Sequence, residues 1–404
     1  MASLRDKGVR HWAVALVILL LGFAAQRFIQ SLPVVQVWKA RLSQELLQLH
    51  FRPIQPRYVE LVLIGDEEYW HGELAGRTPT KRDYLARLVD RLVAADAQTI
   101  ALDFDMRLPD PARLEEFPEY RAETDRLARS ILAAAAGRKI VLSKTIRRNG
   151  DAYKLEPDIY QLYGICSSLN PDGSWVHSGT ASFIIDKNAA ENISCGYIAL
   201  TRDKRMLPLR LTLDDGRKLD SFSLAIARSR NPDEAHRLGD EIRYGSYMPT
   251  RKFVQFRRIH TAADLLRVDP ATKRAVDGAT VIVGADHSTV AYARGRADLH
   301  DTPIGPMNGA LIHANFAEAY LDSRTYGHVP AKVVTVVEIL FVAGGAVLFA
   351  LLPGRWMVGA ALVGMTVLLV LVQWIVLHLS GLSFDAMVPL IGVWLHAVAE
   401  RLLS

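Results

Sequence analysis

Thr80–Phe104 reads TKRDYLARLVDRLVAADAQTIALDF. Leu85, Leu88, Leu92 and Val93 recur at three- and four-residue spacing, with Arg87, Asp90 and Arg91 between them. That pattern predicts an amphipathic helix over Thr80–Ala95. Thr80 followed by Asp83 forms a capping-box variant at its start. Thr99–Phe104 then predicts a short apolar strand, which runs out into Asp103 and Asp105.

Working outward, Tyr58–Ile64 (YVELVLI) predicts a buried strand ended by Gly65 and Asp66. Downstream, Glu119–Ala136 reads as a helix with Leu127, Ile131 and Leu132 inward and a left-handed Gly137 as its stop. Lys139–Leu142 is a third strand. Strand, helix, strand, helix, strand at this spacing implies parallel crossovers and a mostly parallel sheet covered on both faces, an α/β domain. Further strands are expected at Gly196–Leu200, Met206–Leu213, Arg251–Phe256 and Thr280–Gly284 (TVIVG). Helices are expected near Phe222–Arg228 and over Asn308–Leu321, with Ile312, Phe316 and Tyr320 on one side. Ser143–Cys195, rich in Asn, Asp, Gly and Ser, reads as a long insertion.

The flanks are apolar. Val333–Leu352 is a run of twenty residues broken only by Glu338, and Trp356–Leu377 is a run of twenty-two without a charge. Leu382–Ala399 adds eighteen, with Asp385 near its start. A helix needs around twenty residues to cross the hydrocarbon core. At the other end, Arg5, Lys7 and Arg10 precede an uncharged stretch, Trp12–Ala25. It reads as an uncleaved anchor continuing to Ile29, with Arg27 at the interface, or as a cleaved signal peptide. The expected layout is a cytoplasmic start and first membrane helix over 1–30, an extracytoplasmic domain over 31–331, and three membrane helices over 332–404. That is an all-α anchor of four helices. The positive-inside rule, with Arg355 and Arg401 on the inner turns, places both termini in the cytoplasm and the domain in the periplasm of an inner membrane. Leu32–Leu49 reads as a helix, either a stalk or a packing helix. Glu338 is a membrane carboxylate, either functional or reaching the headgroups. After the third run only a few residues remain, so no cytoplasmic output domain is expected behind the anchor.

Composition agrees with this mixed layout. The chain has 404 residues, half of them hydrophobic, with a formal net charge of +5 and two cysteines. No basic stripe with interleaved aromatics supports nucleic-acid binding. Cys166 and Cys195 fall in the outer domain, where an oxidising compartment favours a disulfide, worth about 3–4 kcal/mol for a loop of this length.

Three ordered blocks carry a family resemblance. They are LVLIGDEE (Leu61–Glu68), TPTKRDYLARLVDRLVAADAQTIALDFDMRLPDP (Thr78–Pro111), and VIVGADHS followed by DTPIGPMNGALIHANFAEAYLDSR (Asp301–Arg324). Together with the single early anchor and three closing helices, they resemble the type-two CHASE family (cyclases/histidine kinases associated sensory extracellular domain). Two departures stand out. Arg77-Thr78-Pro79-Thr80 lacks the tryptophans usual there, and Met307-Asn308-Gly309 lacks a proline before the glycine. The resemblance implies a sensory domain that binds a ligand and signals through membrane helices.

The candidate ligand-binding residues are Asp66, Arg82, Asp103, Asp105, Asp286, Thr302 and His313. In open parallel sheets ligands sit beyond the carboxyl ends of the strands, where the four aspartates fall. Asp103 and Asp105, two apart, share a face if their strand continues. Hard oxygen ligands of this kind suit Mg²⁺ or Ca²⁺, a sugar or an amine. The structural alternative is turn capping and pairing with Arg82, Arg107 or Lys144. His313 is a pH sensor or a buried structural histidine, and Asn308 a helix cap. Ser288 and Thr289 lack a G-x-S-x-G elbow, and no phosphate loop occurs. No resident metal or cofactor is expected. The expected function is that of a non-enzymatic sensor-like membrane protein. Its expected partners are the lipid bilayer, a small ligand, a separate output protein and further copies of itself in a homo-oligomer. The alternatives are a scaffold subunit of an envelope complex and an extracytoplasmic metal-dependent enzyme built on the aspartates.

Overall fold

A computed structural model describes residues 52–107, 115–150, 152–162, 165–166, 187–199, 209–231, 252–256, 259–288, 298–302, 305–322, 327–328, 355–380 and 382–383, with single positions at 32, 34 and within 332–344. The chain divides into two compact units, Phe51–Thr325 and Met1–His50 with Tyr326–Ser404.

The Phe51–Thr325 unit is built on six strands: β1 (Val59–Gly65), β2 (Thr99–Leu102), β3 (Lys139–Lys144), β4 (Ile193–Tyr197), β5 (His260–Thr261) and β6 (Thr280–Asp286). They form one sheet in the order β5-β1-β6-β2-β3-β4, and every neighbouring pair is parallel. The apolar runs are continuous because both faces are covered. Val62, Ile64, Ile100, Leu102, Ile140, Leu142, Val281 and Val283 pack on α1 (Arg82–Ala94), α2 (Tyr120–Ala135) and α4 (Ala262–Leu266). Val59, Leu61, Leu63, Ala101, Val141 and Ile282 pack on the other side against α3 (Phe222–Arg230) and α6 (Gly309–Leu321). Between β5 and β6 lies α5 (Pro270–Val276), and a hairpin of β7 (Leu299–Thr302) and β8 (Gly305–Asn308) precedes α6. Each fully buried Leu, Ile or Val contributes about 1.5–3 kcal/mol, so the two apolar layers dominate the stability.

Helix ends depart from the expectation. α1 starts at Arg82 behind Lys81, with no side-chain cap; its first N–H is instead taken by Glu123 Oε2 of α2 at 3.1 Å. A long-range carboxylate has replaced the Thr80/Asp83 box. α1 closes on Asp96 in the left-handed region (φ 63°), with Ala97 N bonded back to Leu92 O and Asp96 N to Val93 O, a Schellman arrangement. Gly137 is not left-handed; α2 ends in a tightened turn, with Gly137 N and Arg138 N both on Ala134 O.

The expected insertion Ser143–Cys195 ends inside the core. β4 is the last strand of the central sheet, pairing with β3 from Ile140↔Ile193 to Lys144↔Tyr197. Its Gly196 is required by close approach: a Cβ there would meet Phe222 Cα at 2.5 Å, where α3 begins. A hairpin of Ile146–Asn149 and Ala152–Leu155 occupies part of the rest. Cys166 and Cys195 are disulfide-bonded, with Cα atoms 5.8 Å apart across a separation of 29 residues. Of Met206–Leu213, Arg210–Thr212 is a strand, paired with Lys218–Asp220. Lys252–Val254 lies outside the main sheet, parallel to Arg52–Ile54.

In the other unit, α7 (Arg355–Ser380) contains Gly359–Val376, the one stretch among the described residues long and apolar enough to cross a membrane. Gly327–His328 pairs with Leu382–Ser383. The first anchor at 1–30, nearly all of Leu32–Leu49, Glu338, most of Val333–Leu352 and nearly all of Leu382–Ala399 lie outside the described residues, so a four-helix anchor is not established.

Candidate functional site

At β6, the last strand of the sheet in chain order, the outgoing connection changes face. The chain leaves β1 and β2 toward the α1/α2 layer, but it leaves β6 toward α6 on the opposite face. Connections that diverge in this way open a crevice beyond the carboxyl ends of β1, β6 and β2. Asp66, Asp286 and Asp103 stand at those three ends.

Asp66 acts as a latch. Its Oδ1 accepts the backbone N–H of Ser288 at 2.6 Å and the Ser288 hydroxyl at 2.7 Å, tying the segment after β1 to the segment after β6. Trp70 Nε1 donates to the same hydroxyl at 3.2 Å. Tyr69 stacks on His287, with ring centroids 3.6 Å apart. Glu68 closes the corner: Oε2 accepts from Gly65 N at 2.5 Å and Oε1 from Ala263 N at 2.6 Å. The turn Glu67–His71 that holds these residues is one turn of π-helix, with no signal in residue spacing.

Asp103 differs from the other strand-end acids. β2 stops at Leu102, so Asp103 and Asp105 do not continue as strand neighbours on one face. Asp105 is exposed and held by Arg107 at 2.5 Å and by Thr145 Oγ1 at 3.1 Å. Partial burial would raise its carboxyl, but the hydrogen bonds and charge of Arg107 outweigh that and keep it below the ordinary range. The Cβ of Asp103 lies 3.8 Å from the position that a Cβ on Gly284 would take, a position that Ala310 of α6 approaches to 2.7 Å. Burial pushes its carboxyl up to about 8, and the Asp298 carboxylate adds to the rise.

Asp298 escaped the sequence reading. It has a left-handed backbone (φ 57°), its carbonyl accepts from Gly309 N, and its carboxylate lies where a side chain on Gly309 would stand. A carboxylate there suits the positive end of α6. His300 Nε2 pairs with it at 2.7 Å. Asn308 is the cap expected: Oδ1 accepts from Ala310 N at 2.9 Å, and Nδ2 donates to Ala285 O at 2.6 Å.

Three predicted residues have structural partners. The buried Arg82 guanidinium donates to Thr124 Oγ1 at 2.7 Å and lies 4.2 Å from the Tyr120 ring centroid, between α1 and α2. Beside it Arg77 makes a two-pronged bond to Glu123, at 2.7 and 2.9 Å. Thr302 closes the β7–β8 hairpin by donating to Gly305 O. His313 is fully buried, with Nδ1 3.0 Å from Ser223 Oγ of α3. Burial pulls its imidazole down to about 4, against the pull of Asp298. The same helix carries Asn315, whose Oδ1 accepts from Val254 N at 2.6 Å. Among the described residues no three His, Cys, Asp or Glu side chains are placed to hold a metal ion.

The site therefore gathers Asp66, Asp103, Asp286 and Asp298 with His287, His300 and Trp70 around one strand crossover. Residues 13–351 match the model of the CHASE2 domain family. No curated protein and no solved structure matches the chain. With the match covering most of its length, the chain belongs to the CHASE2 domain family, a family of extracellular sensory domains.

Proposed function

We propose that this protein is a sensor anchored in the cell inner membrane. Its periplasmic domain takes a small polar ligand, or a segment of a partner, in the crevice beyond β1, β6 and β2. Occupancy shifts the balance between two arrangements and is passed through the membrane helices to a separate output protein. The unit acts by binding, not by catalysis. Asp103 carries this reading: a carboxyl that keeps its proton to about pH 8 beside Asp298, at the strand crossover, is poised to change charge when a ligand arrives.

Pairing of Gly327–His328 with Leu382–Ser383 supports a multi-pass anchor. At about 1.5 Å per residue, α7 is long enough to carry Arg355 across a bilayer from that pair. Arg355 is then on the inner side, as the positive-inside rule requires. Both termini lie inside, and copies associate through the same helices.

The test uses the full chain in native membranes with a photo-crosslinking residue placed along α7. A discrete crosslinked partner whose yield changes in Asp103→Asn supports coupling from crevice to helix. A yield identical in the variant and the parent, at every position, sinks it. Labelling of an introduced cysteine at Glu67 by a membrane-impermeant thiol reagent in intact cells separately checks the periplasmic placement.

A further inference from the structure

α6 is buried along almost its whole length: every residue of Gly309–Leu321 except Leu311 is shut off from water. Polar groups at such a helix must find partners inside the unit. Those of α6 find them at its two opposite ends.

The first turn lies in the crevice. Asn308 Nδ2 holds Ala285 O near the end of β6, and the Asp298 carboxylate sits against Gly309. Ala310 rests directly on Gly284: a Cβ added to that glycine would meet Ala310 Cβ at 2.7 Å and lie 3.8 Å from Asp103 Cβ. A single methyl group has no room there, so a group entering beside Asp103 acts on the first turn of the helix.

Thirteen residues of helix, at about 1.5 Å each, carry the chain about 20 Å to the other end. There Glu318 Oε1 accepts the N–H groups of Arg57, Tyr58 and Val59. Asn315 Oδ1 accepts from Val254 N at 2.6 Å, and Lys252–Val254 in turn pairs with Arg52–Ile54. Asp322, directly after the helix, lies 3.8 Å from the Arg57 guanidinium. The chain enters the unit at Phe51 and leaves it at Thr325. The last turns of α6 therefore hold the inlet and lead into the outlet.

Two features let the helix shift as one body. It sets Ala310, Ala314 and Ala317 on the apolar side chains of the sheet, small residues that slide without a new interdigitation. At its far end Glu318 Oε2 is buried with no hydrogen-bond partner among the described residues. A half-satisfied buried carboxyl leaves the clamp short of its best arrangement, and a second one lies within reach.

We propose that α6 is the transmission element of this unit. A group in the crevice displaces its first turn, and the helix carries the displacement to Arg57–Val59 and Lys252–Val254, the segments at the inlet. The inference rests on the sensor reading above and names the route within the unit.

The test is hydrogen–deuterium exchange on the full chain in nanodiscs, with Gly284→Ala as a wedge under the first turn. Expected is severalfold faster exchange at Arg57, Tyr58, Val59 and Val254. Lys139 and Ile140, whose N–H groups bond to Gln98 O and Asn192 O at the start of β3, keep their parental rates. Adding Ala310→Gly to Gly284→Ala returns the missing space and is expected to restore the parental pattern. If Gly284→Ala does not fold, Ala310→Ser enlarges the same contact from the helix side and serves in its place. A disturbance confined to the crevice overturns the proposal, and so does an equal rise at Lys139 and Ile140 or a double variant that rescues nothing. The sensor reading fails separately. If Arg57–Val59 respond to the wedge while crosslinking along α7 ignores Asp103→Asn, the route stands and the signal to an output protein falls. If crosslinking responds while Arg57–Val59 and Val254 do not, the signal exists and α6 is not its carrier.

Discussion

Glu318, in the last turns of α6, accepts the backbone N–H of Val59 at the first residue of β1, at 2.7 Å. The same oxygen accepts from Tyr58 N at 2.7 Å and Arg57 N at 3.0 Å. A single side chain thus fastens the start of the central strand to the helix that begins in the crevice. Burial raises its carboxyl above the usual range, and the three N–H bonds only partly offset that. Glu318→Ala leaves three strand-start donors without their acceptor, and the expected loss is about 3 kcal/mol. Glu318→Gln keeps an acceptor and is expected to lose less. Urea unfolding of the full chain in detergent measures both; equal losses in the two variants would remove the acceptor as the cause.

Asp103 predicts a stability that falls with rising pH. In an unfolded chain an aspartate ionises near pH 4, whereas in the folded unit burial and Asp298 keep the Asp103 proton on until about pH 8. The folded state therefore binds the extra proton between these values. The contribution is full below pH 4 and is lost as pH rises through 8. Asp103→Asn is expected to melt close to the parent at pH 4 and above it at pH 8.5. Thermal melts across that window decide the matter: parallel curves would mean that Asp103 titrates normally.

What the sequence revealed follows from burial. β1, β2, β3 and β6 lie under helices on both faces, so their side chains are almost all apolar and each run is visible, at Tyr58–Ile64 and Thr280–Gly284 for instance. β4 was legible only at its end, as the strand expected at Gly196–Leu200, because close packing against Phe222 requires Gly196 and a disulfide takes another position, so ISCGY has no apolar run. β5 is only two residues long. At the site, Asp66 and Asp103 were legible as strand ends. Asp298 was not, because its place over α6 depends on a hairpin that spacing does not encode. Arg82 is held at the start of α1 by Thr124 and Tyr120, partners too distant in sequence for spacing to reveal.

His313 predicts the opposite pH response. Its imidazole ordinarily ionises near 6.5, and burial lowers this to about 4 in the folded unit. Between these values the unfolded chain takes up a proton that the folded chain refuses. The contribution is full above pH 6.5 and is lost as pH falls through 4. His313→Gln is expected to lower the melting temperature modestly at pH 7, where the contact with Ser223 is disturbed, and to flatten the acid limb between pH 6.5 and 4. An unchanged acid limb would assign it to other groups.

Lys144 and Asp158 form an ion pair shut off from water, with Nζ 2.8 Å from Oδ2 and side chains 1% and 2% exposed. Burial pulls the ammonium below its usual range, against the opposing pull of Asp158. Removing one partner leaves the other charge buried alone, so Asp158→Ala is expected to cost about 3–5 kcal/mol. Lys144→Met with Asp158→Leu keeps volume without charge and is expected to recover much of that loss. Denaturant melts of the four proteins in a double-mutant cycle test it. Additive losses would show that the two side chains act independently.

The Cys166–Cys195 bond joins the segment after the Ile146–Leu155 hairpin to β4, the outermost strand of the sheet. Its 29-residue separation limits the unfolded chain enough to be worth about 3–4 kcal/mol. Cys166→Ala with Cys195→Ala is expected to lose this amount, and a thiol reductant to lower the parent's melting temperature toward that of the variant. Because β4 pairs only with β3 within the sheet, the loss should appear first as faster amide exchange in Ile193–Tyr197, with β1 and β6 protected as before. Uniform loosening of the whole sheet would instead mean that β4 is a full part of the cooperative core, held as firmly as the strands at its centre.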